Sequence, residues 1–252
     1  MSHAYYNEID PYAAAWLRNL IAAGHVADGD VDERDIRLVQ PSDLIGYRQC
    51  HFFAGIGGWS RALRLAGWRD EDAVWTASVP CQPYSVASVA VGGAQGPSDQ
   101  RDLWPDFFRL VPEHRPASVL GEQVASAIGW GWWDRAAADL EGEGYACAAG
   151  VLRADTWGHW RKRLYWLADA GGKGWTGHQP IECFPFAATT PFAVDGDTLA
   201  RARRALGGDY ADLLSGDGVS VAVERCATKG YGNAIVPPVA AEFVRAYLDC
   251  RP

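Results

Sequence analysis

Cys81 lies in the run Pro80-Cys81-Gln82-Pro83-Tyr84-Ser85, directly after an apolar stretch, Ala73 to Val79, that reads as a strand. Most cysteines of a folded chain are small, buried and inert. Prolines on both sides of this one stiffen the backbone and keep it from continuing as a core strand, so its thiol is placed for nucleophilic attack. A carboxylate stands in Gly121-Glu122-Gln123-Val124, past a second strand reading, Ala117 to Leu120. Alone it reads as a cap or a solvated acid; beside a nucleophile it could serve as general acid or base. Arg161-Lys162-Arg163, just ahead of the strand-like Leu164 to Ala168, reads by itself as a solvated positive patch. His51-Phe52-Phe53-Ala54-Gly55-Ile56-Gly57-Gly58 puts glycines where a strand turns into a helix, so backbone N–H groups can approach a ligand closely. Gly232-Asn233-Ala234-Ile235-Val236-Pro237 reads as a turn into a final helix.

The elements that must hold these residues alternate. Ala4 to Ile9 reads as a strand, and Asp10-Pro11 supplies a cap and a first-turn proline for a helix carrying Tyr12, Trp16, Leu17, Leu20 and Ile21, stopped by Gly24. Gln49 to Ala54 is a strand candidate that leads into a helix with Trp59, Ala62, Leu63 and Ala66 on one face, closed by Gly67. Tyr145 to Val151 is a further strand candidate. Helix-like stretches lie at Trp104 to Val111, Trp132 to Gly142 and Val239 to Leu248. Strand–helix alternation predicts an α/β fold, a mostly parallel sheet with helices on both faces. The crevice at the carboxyl edge of such a sheet is where ligands bind. From Ala170 to Ser220 periodicity weakens, apart from a helical run at Thr198 to Leu206, which predicts a small irregular lobe. The expected division is a core over 1–169, a lobe over 170–228 and a returning segment over 229–252.

Length and composition agree with a globular domain: 252 residues and 48% hydrophobic side chains fill one core. No export signal and no apolar run long enough to span a bilayer is visible, so the expectation is a cytoplasmic protein with no membrane partner. The six cysteines are irregularly spaced, with no C-x-x-C pair, and read as reduced thiols rather than disulfides or a zinc site. A net charge of −8 argues mildly against a nucleic-acid partner. The charge is uneven, however: bases gather at Arg161 to Arg163 and at Arg201, Arg203 and Arg204, acids at Asp28 to Asp35 and Asp134 to Glu143, which leaves room for a basic groove on an acidic body.

Taken in order, these segments resemble the C5-cytosine DNA methyltransferase family. The glycine turn is similar to its F-x-G-x-G-G motif, Pro80-Cys81-Gln82 to its P-C-Q nucleophile loop, and Glu122-Gln123-Val124 to its E-N-V. Arg161 and Arg163 fit R-x-R, and Gly232-Asn233 to Pro237 fits G-N-x-V-x-P. The resemblance implies a Rossmann-like S-adenosylmethionine-dependent methyltransferase fold with S-adenosylmethionine as cofactor and no metal. The cofactor would meet Phe53, Ala54, Gly55, Ile56, Gly57, Gly58, Pro80, Asn233 and Ala234.

One family unit is displaced. Ordinarily the glycine motif is followed by a strand ending in the acid that holds the cofactor ribose, then a strand with an Asp near the adenine, and only then P-C-Q. Between Gly58 and Pro80 there is room for one helix and one strand. The missing unit resembles the amino end: Asn7-Glu8-Ile9-Asp10 for the ribose segment, Gly29-Asp30-Val31-Asp32 with Ile36 for the adenine segment. The implied order is circularly permuted, with Glu8 on the ribose hydroxyls and Asp32 or Asp30 on the adenine amino group.

The implied reaction is cytosine-C5 methylation of double-stranded DNA by a monomer, with the base flipped into the pocket and the Ser85 to Pro97 stretch closing over it. Cys81 attacks C6, Glu122 supports N3, and Arg163, with Arg161, holds O2 or phosphate. Three departures stand out: Gln123 replaces the family's Asn, His159 stands where Gln is common, and the span from Asp169 to Gly230 is short for target recognition, which predicts weak sequence discrimination. The competing readings are a transfer-RNA cytosine methyltransferase, a catalytically silent nucleic-acid-binding module of the same fold, and an unrelated dinucleotide-binding oxidoreductase.

Overall fold

A computed structural model describes residues 4–80, 99–154, 162–171 and 235–250. Seven strands form one sheet in the order β2-β1-β3-β4-β5-β7-β6: β1 Ala4–Asn7, β2 Gly29–Asp32, β3 Gln49–Phe52, β4 Val74–Ala77, β5 Ser118–Val124, β6 Ala146–Arg153 and β7 Lys162–Asp169. All neighbours run parallel except at β7, which is antiparallel to both β5 and β6. β1, β3 and β4 are buried along their whole length, as expected of strands covered on both faces.

The helices are α1 Pro11–Ala22, α2 Gly58–Leu65, α3 Trp104–Phe108, α4 Val111–His114, α5 Trp132–Gly142 and α6 Pro237–Cys250. Asp10 caps α1, its carboxylate accepting the N–H groups of Tyr12 and Ala13, and Gly24 and Gly67 take positive φ just past α1 and α2. On one face α3, α4 and α5 bury Trp104, Phe107, Val111, Trp132 and Leu140 against Phe52, Trp75 and Trp166. On the other, α2 and α6 pack together through Trp59, Leu63, Phe243 and Val244, and α1 covers Tyr6 with Leu17. Strand order, direction and two-sided cover together give a Rossmann-like α/β architecture, a mostly parallel sheet with helices on both faces.

Three details differ from the sequence reading. Glu122, Gln123 and Val124 lie inside β5 instead of after it, because β7 keeps pairing out to Val124↔Arg163. Gly121 does not interrupt that strand: Trp166 lies over it so closely that an added Cβ would sit 2.1 Å from the indole ring. The Trp104 to Val111 stretch is two short helices, since Pro112 has no N–H with which to extend the first and instead opens the second. Gly29–Asp32, the segment likened to the adenine strand although it shows no hydrophobic alternation, is a strand in register with β1. The predicted lobe, Arg201, Arg203 and Arg204 among it, and the Ser85 to Pro97 stretch lie outside the described residues.

Inside the sheet, Tyr6, His51 and Thr76 form one row across β1, β3 and β4. His51 stacks on Tyr6 at 4.8 Å and shares a 2.8 Å hydrogen bond between Nδ1 and Thr76 Oγ1. Burial pulls its pKa down to about 3, with Asp70 opposing weakly. The unfolded chain takes up the imidazole proton near pH 6.5 and the folded one does not, so this residue's support is complete above that pH and is lost on acidification towards 3. Urea titrations at stepped pH are expected to show wild type losing roughly 1.4 kcal/mol per pH unit more than His51→Gln across that window. Parallel pH profiles for the two proteins would refute this.

Candidate active site

Every chemically notable segment that is described reaches the same edge of the sheet. β1 ends at Asn7 and delivers Glu8; β3 ends at Phe52 and delivers the glycine turn; β4 ends at Ala77 and leads through Val79 to Pro80. β5 carries Glu122 at that edge, and β7, running the other way, begins there with Lys162 and Arg163.

The glycine turn is built on unusual backbone. Phe53, Gly55 and Gly57 have φ of 53°, 55° and 78°. Such angles are costly for a side-chain-bearing residue. Phe53 accepts that cost with its ring packed on the aromatic core. At Gly57 an added Cβ would lie 2.9 Å from the Leu17 side chain, and at Gly58 2.7 Å from Ile235, so those glycines seat the start of α2 against α1 and the segment before α6. Gly55 differs, since a Cβ there would meet nothing within 4 Å. It faces open space at the sheet edge.

Glu8 ties this turn to its neighbours. Its Oε2 accepts the Gly55 N–H at 2.7 Å and its Oε1 the Asp10 N–H at 2.8 Å, while its own N–H donates to Asp32 O at 3.0 Å. Residues from three parallel strands, far apart in the chain, therefore meet around Glu8, Gly55 and Asp32. Asp32 accepts from Tyr5 Oη at 2.7 Å and from both Nε and Nη2 of Arg34. Burial opposes its charge, yet the Arg34 and Tyr5 hydrogen bonds hold its carboxyl below the ordinary value. Asp30, the alternative expected at adenine, accepts from Tyr47 Oη at 2.9 Å; burial and that bond push the Tyr47 hydroxyl up to about 12.

Glu122 is 6% exposed, and Arg163 Nε lies 2.8 Å from its Oε1. Arg163 also donates to Lys162 O. Thus the arginine expected on cytosine O2 stands, in this structure, on the carboxylate expected at N3. Gln123, fully buried, donates from Nε2 to Val79 O at 3.3 Å, which ties the acid's strand to the backbone just ahead of Pro80. Cys81, Arg161, Asn233 and Ala234 lie outside the described residues.

Sequence reasoning named Gln123 only as a departure beside Glu122 and missed the Tyr5–Arg34 pair on Asp32 and Ile235 on Gly58. Gln123, Tyr5 and Ile235 meet partners in other segments of the chain, whereas Arg34 bonds Asp32 two residues away. Among the described residues no group of three or more His, Cys, Asp or Glu could hold a metal ion, and no helix is long and apolar enough to cross a membrane.

Residues 69–190 match the family model described as C-5 cytosine-specific DNA methylase, a stretch that holds Pro80-Cys81-Gln82, Glu122 and Arg163. The chain is 30% identical over 127 residues to the Type II methyltransferase M.NgoMIV of Neisseria gonorrhoeae, an alignment covering 50% of this chain and 30% of that protein. Among solved structures, the Dnmt2 methyltransferase of S. pombe aligns with a TM-score of 0.38 and 15% identity over 69% of this chain and 51% of that one. The Entamoeba histolytica methyltransferase EhMeth aligns with a TM-score of 0.39 and 11% identity over 68% and 53%. The chain thus spans about half the length of these structures and less than a third of the Neisseria protein. The stretch of this chain similar to the C-5 cytosine-specific DNA methylase family is therefore residues 69–190, which holds Pro80-Cys81-Gln82, Glu122 and Arg163.

Proposed function

We propose that this protein transfers a methyl group from S-adenosylmethionine to C5 of a flipped cytosine in double-stranded DNA, through a covalent adduct with Cys81. The observation that carries the reading is the buried Glu122, paired with Arg163 and joined through Gln123 to the backbone leading into Pro80 and Cys81. An acid and a cation held together at the point where the nucleophile's segment leaves the sheet suit attack on a ring whose charge builds at N3 and O2.

The glycine turn fits the cofactor. Gly55 offers an open backbone face beside the Glu8 carboxylate, where nucleoside hydroxyls could be accepted, and Asp30 and Asp32 both lie on β2, the strand next to β1, for the adenine amino group. Phe53, Ala54, Ile56, Gly57, Gly58, Pro80, Asn233 and Ala234 complete the assigned contacts. When bound, S-adenosylmethionine supplies an electrophilic methyl group. The Cys81 thiolate adds to C6, and the displaced ring electrons make C5 nucleophilic while Glu122 meets N3 and Arg163 meets O2. After C5 has been methylated, a base removes its proton and the C6–S bond breaks to return the thiolate. Our candidates for phosphate contact, which gives affinity without sequence readout, are Arg161 and, in the assigned recognition lobe, Arg201, Arg203 and Arg204.

The test is label transfer from S-adenosylmethionine to duplex DNA and to transfer RNA side by side. Label at cytosine C5 of DNA is expected. Label on RNA alone overturns the substrate, and label on neither overturns the activity.

A further inference from the structure

The strand carrying the acid and the chain leading to the nucleophile part at a single rung. β4 stays in register with β5 only to Ala77↔Gly121, whereas β5 keeps pairing with β7 to Val124↔Arg163. Past that rung the chain leaving β4 remains bonded to the other side: Ser78 donates its N–H to Phe52 O at 3.3 Å. A split therefore opens between β4 and β5 beside Glu122. Gln123 spans it with one carboxamide, Nε2 donating to Val79 O at 3.3 Å and Oε1 accepting the Val124 N–H at 2.9 Å. Both ends of a fully buried amide are thereby used, one on each side of the split.

We propose that Gln123 is a positioning residue for methyl transfer: its carboxamide replaces the missing rung and sets the spacing between the Glu122 carboxylate and the backbone entering Cys81. This rests on the cytosine methyltransferase reading above. Side-chain length is what makes the bridge. Asn keeps the donor and the acceptor but is one methylene shorter, so from this backbone it reaches only one of the two partners. Met keeps the length and fills the space, with neither an amide donor nor an amide acceptor. Reacting groups displaced by about 1 Å lose on the order of 100-fold in rate, so a widened split acts on the chemical step rather than on cofactor binding at Glu8 and Gly55.

The experiment measures the rate of covalent adduct formation on a 5-fluorocytosine duplex at saturating S-adenosylmethionine for wild type, Gln123→Met and Gln123→Asn, with cofactor Kd and circular dichroism alongside. Gln123→Met is expected to slow the adduct by about 10- to 100-fold per folded molecule with Kd within about twofold of wild type, and Gln123→Asn to fall between. Adduct formation by Gln123→Met at the wild-type rate overturns the proposal, as does a loss in both variants that only follows their folded fraction. A wild type that forms no adduct at all overturns the methyltransferase reading, and the proposal with it.

Discussion

Replacing Cys81 by Ser is expected to lower methyl transfer by roughly four orders of magnitude or more while leaving S-adenosylmethionine affinity within about twofold. A hydroxyl takes nearly the volume of a thiol, so the glycine turn and Glu8 are untouched, but it has almost no ionised fraction at neutral pH. The two cysteines in the described strands do not stand in for it. Cys50 and Cys147 are buried, and burial pushes their thiols up, the latter to about 12, which keeps both protonated and shielded. Mass spectrometry should find wild type trapped on a 5-fluorocytosine duplex through Cys81, because fluorine cannot leave C5 as a proton does. The serine variant should show no adduct. Retained turnover in that variant removes Cys81 from the mechanism.

Glu122→Gln is expected to lower kcat by about 100- to 10,000-fold, the range over which positioned acid–base groups act. Glutamine keeps the shape and can still donate a hydrogen bond, yet it cannot deliver a proton to N3 or return one. It also leaves Arg163 beside a neutral partner at a site where the guanidinium is mostly covered, so a lower thermal midpoint is expected as well. The two effects separate in a comparison with Arg163→Lys, which keeps the positive charge and loses the planar fork. If Glu122 serves only to hold Arg163, the glutamine variant should lose stability and keep its kcat. If Glu122 works on the base, kcat falls far more than the folded fraction does. A glutamine variant with wild-type kcat sinks the assignment.

The amino-acid sequence by itself determined the local punctuation and the chemical inventory. Asp10-Pro11 starts α1 and Gly24 ends it because a cap carboxylate, a fixed proline φ and a left-handed glycine act within a few residues of themselves. Pro80-Cys81-Gln82, Glu122-Gln123-Val124 and the glycine turn were legible as motifs because their chemistry depends on residue type and order. The Asn7 to Asp10 and Gly29 to Asp32 segments were legible in the same way, by their likeness to a unit expected after the glycine turn.

Tertiary structure decided how those pieces meet. That Glu8 grips Gly55 follows from β1 lying between β2 and β3, a neighbour relation that sequence order hides and backbone pairing alone establishes. β5 outruns its apolar stretch because β7, arriving from some forty residues later, supplies hydrogen-bond partners as far as Val124. The same extension turns Glu122 from a loop acid into a buried one with Arg163 against it, since strand ends depend on the partner strand and not on the hydropathy of their own residues. Asp32 shows the point most plainly: its acidity is visible in the sequence, but the Tyr5 and Arg34 groups that take its lone pairs come into range only once β1 and β2 have paired and the chain has turned past Asp32.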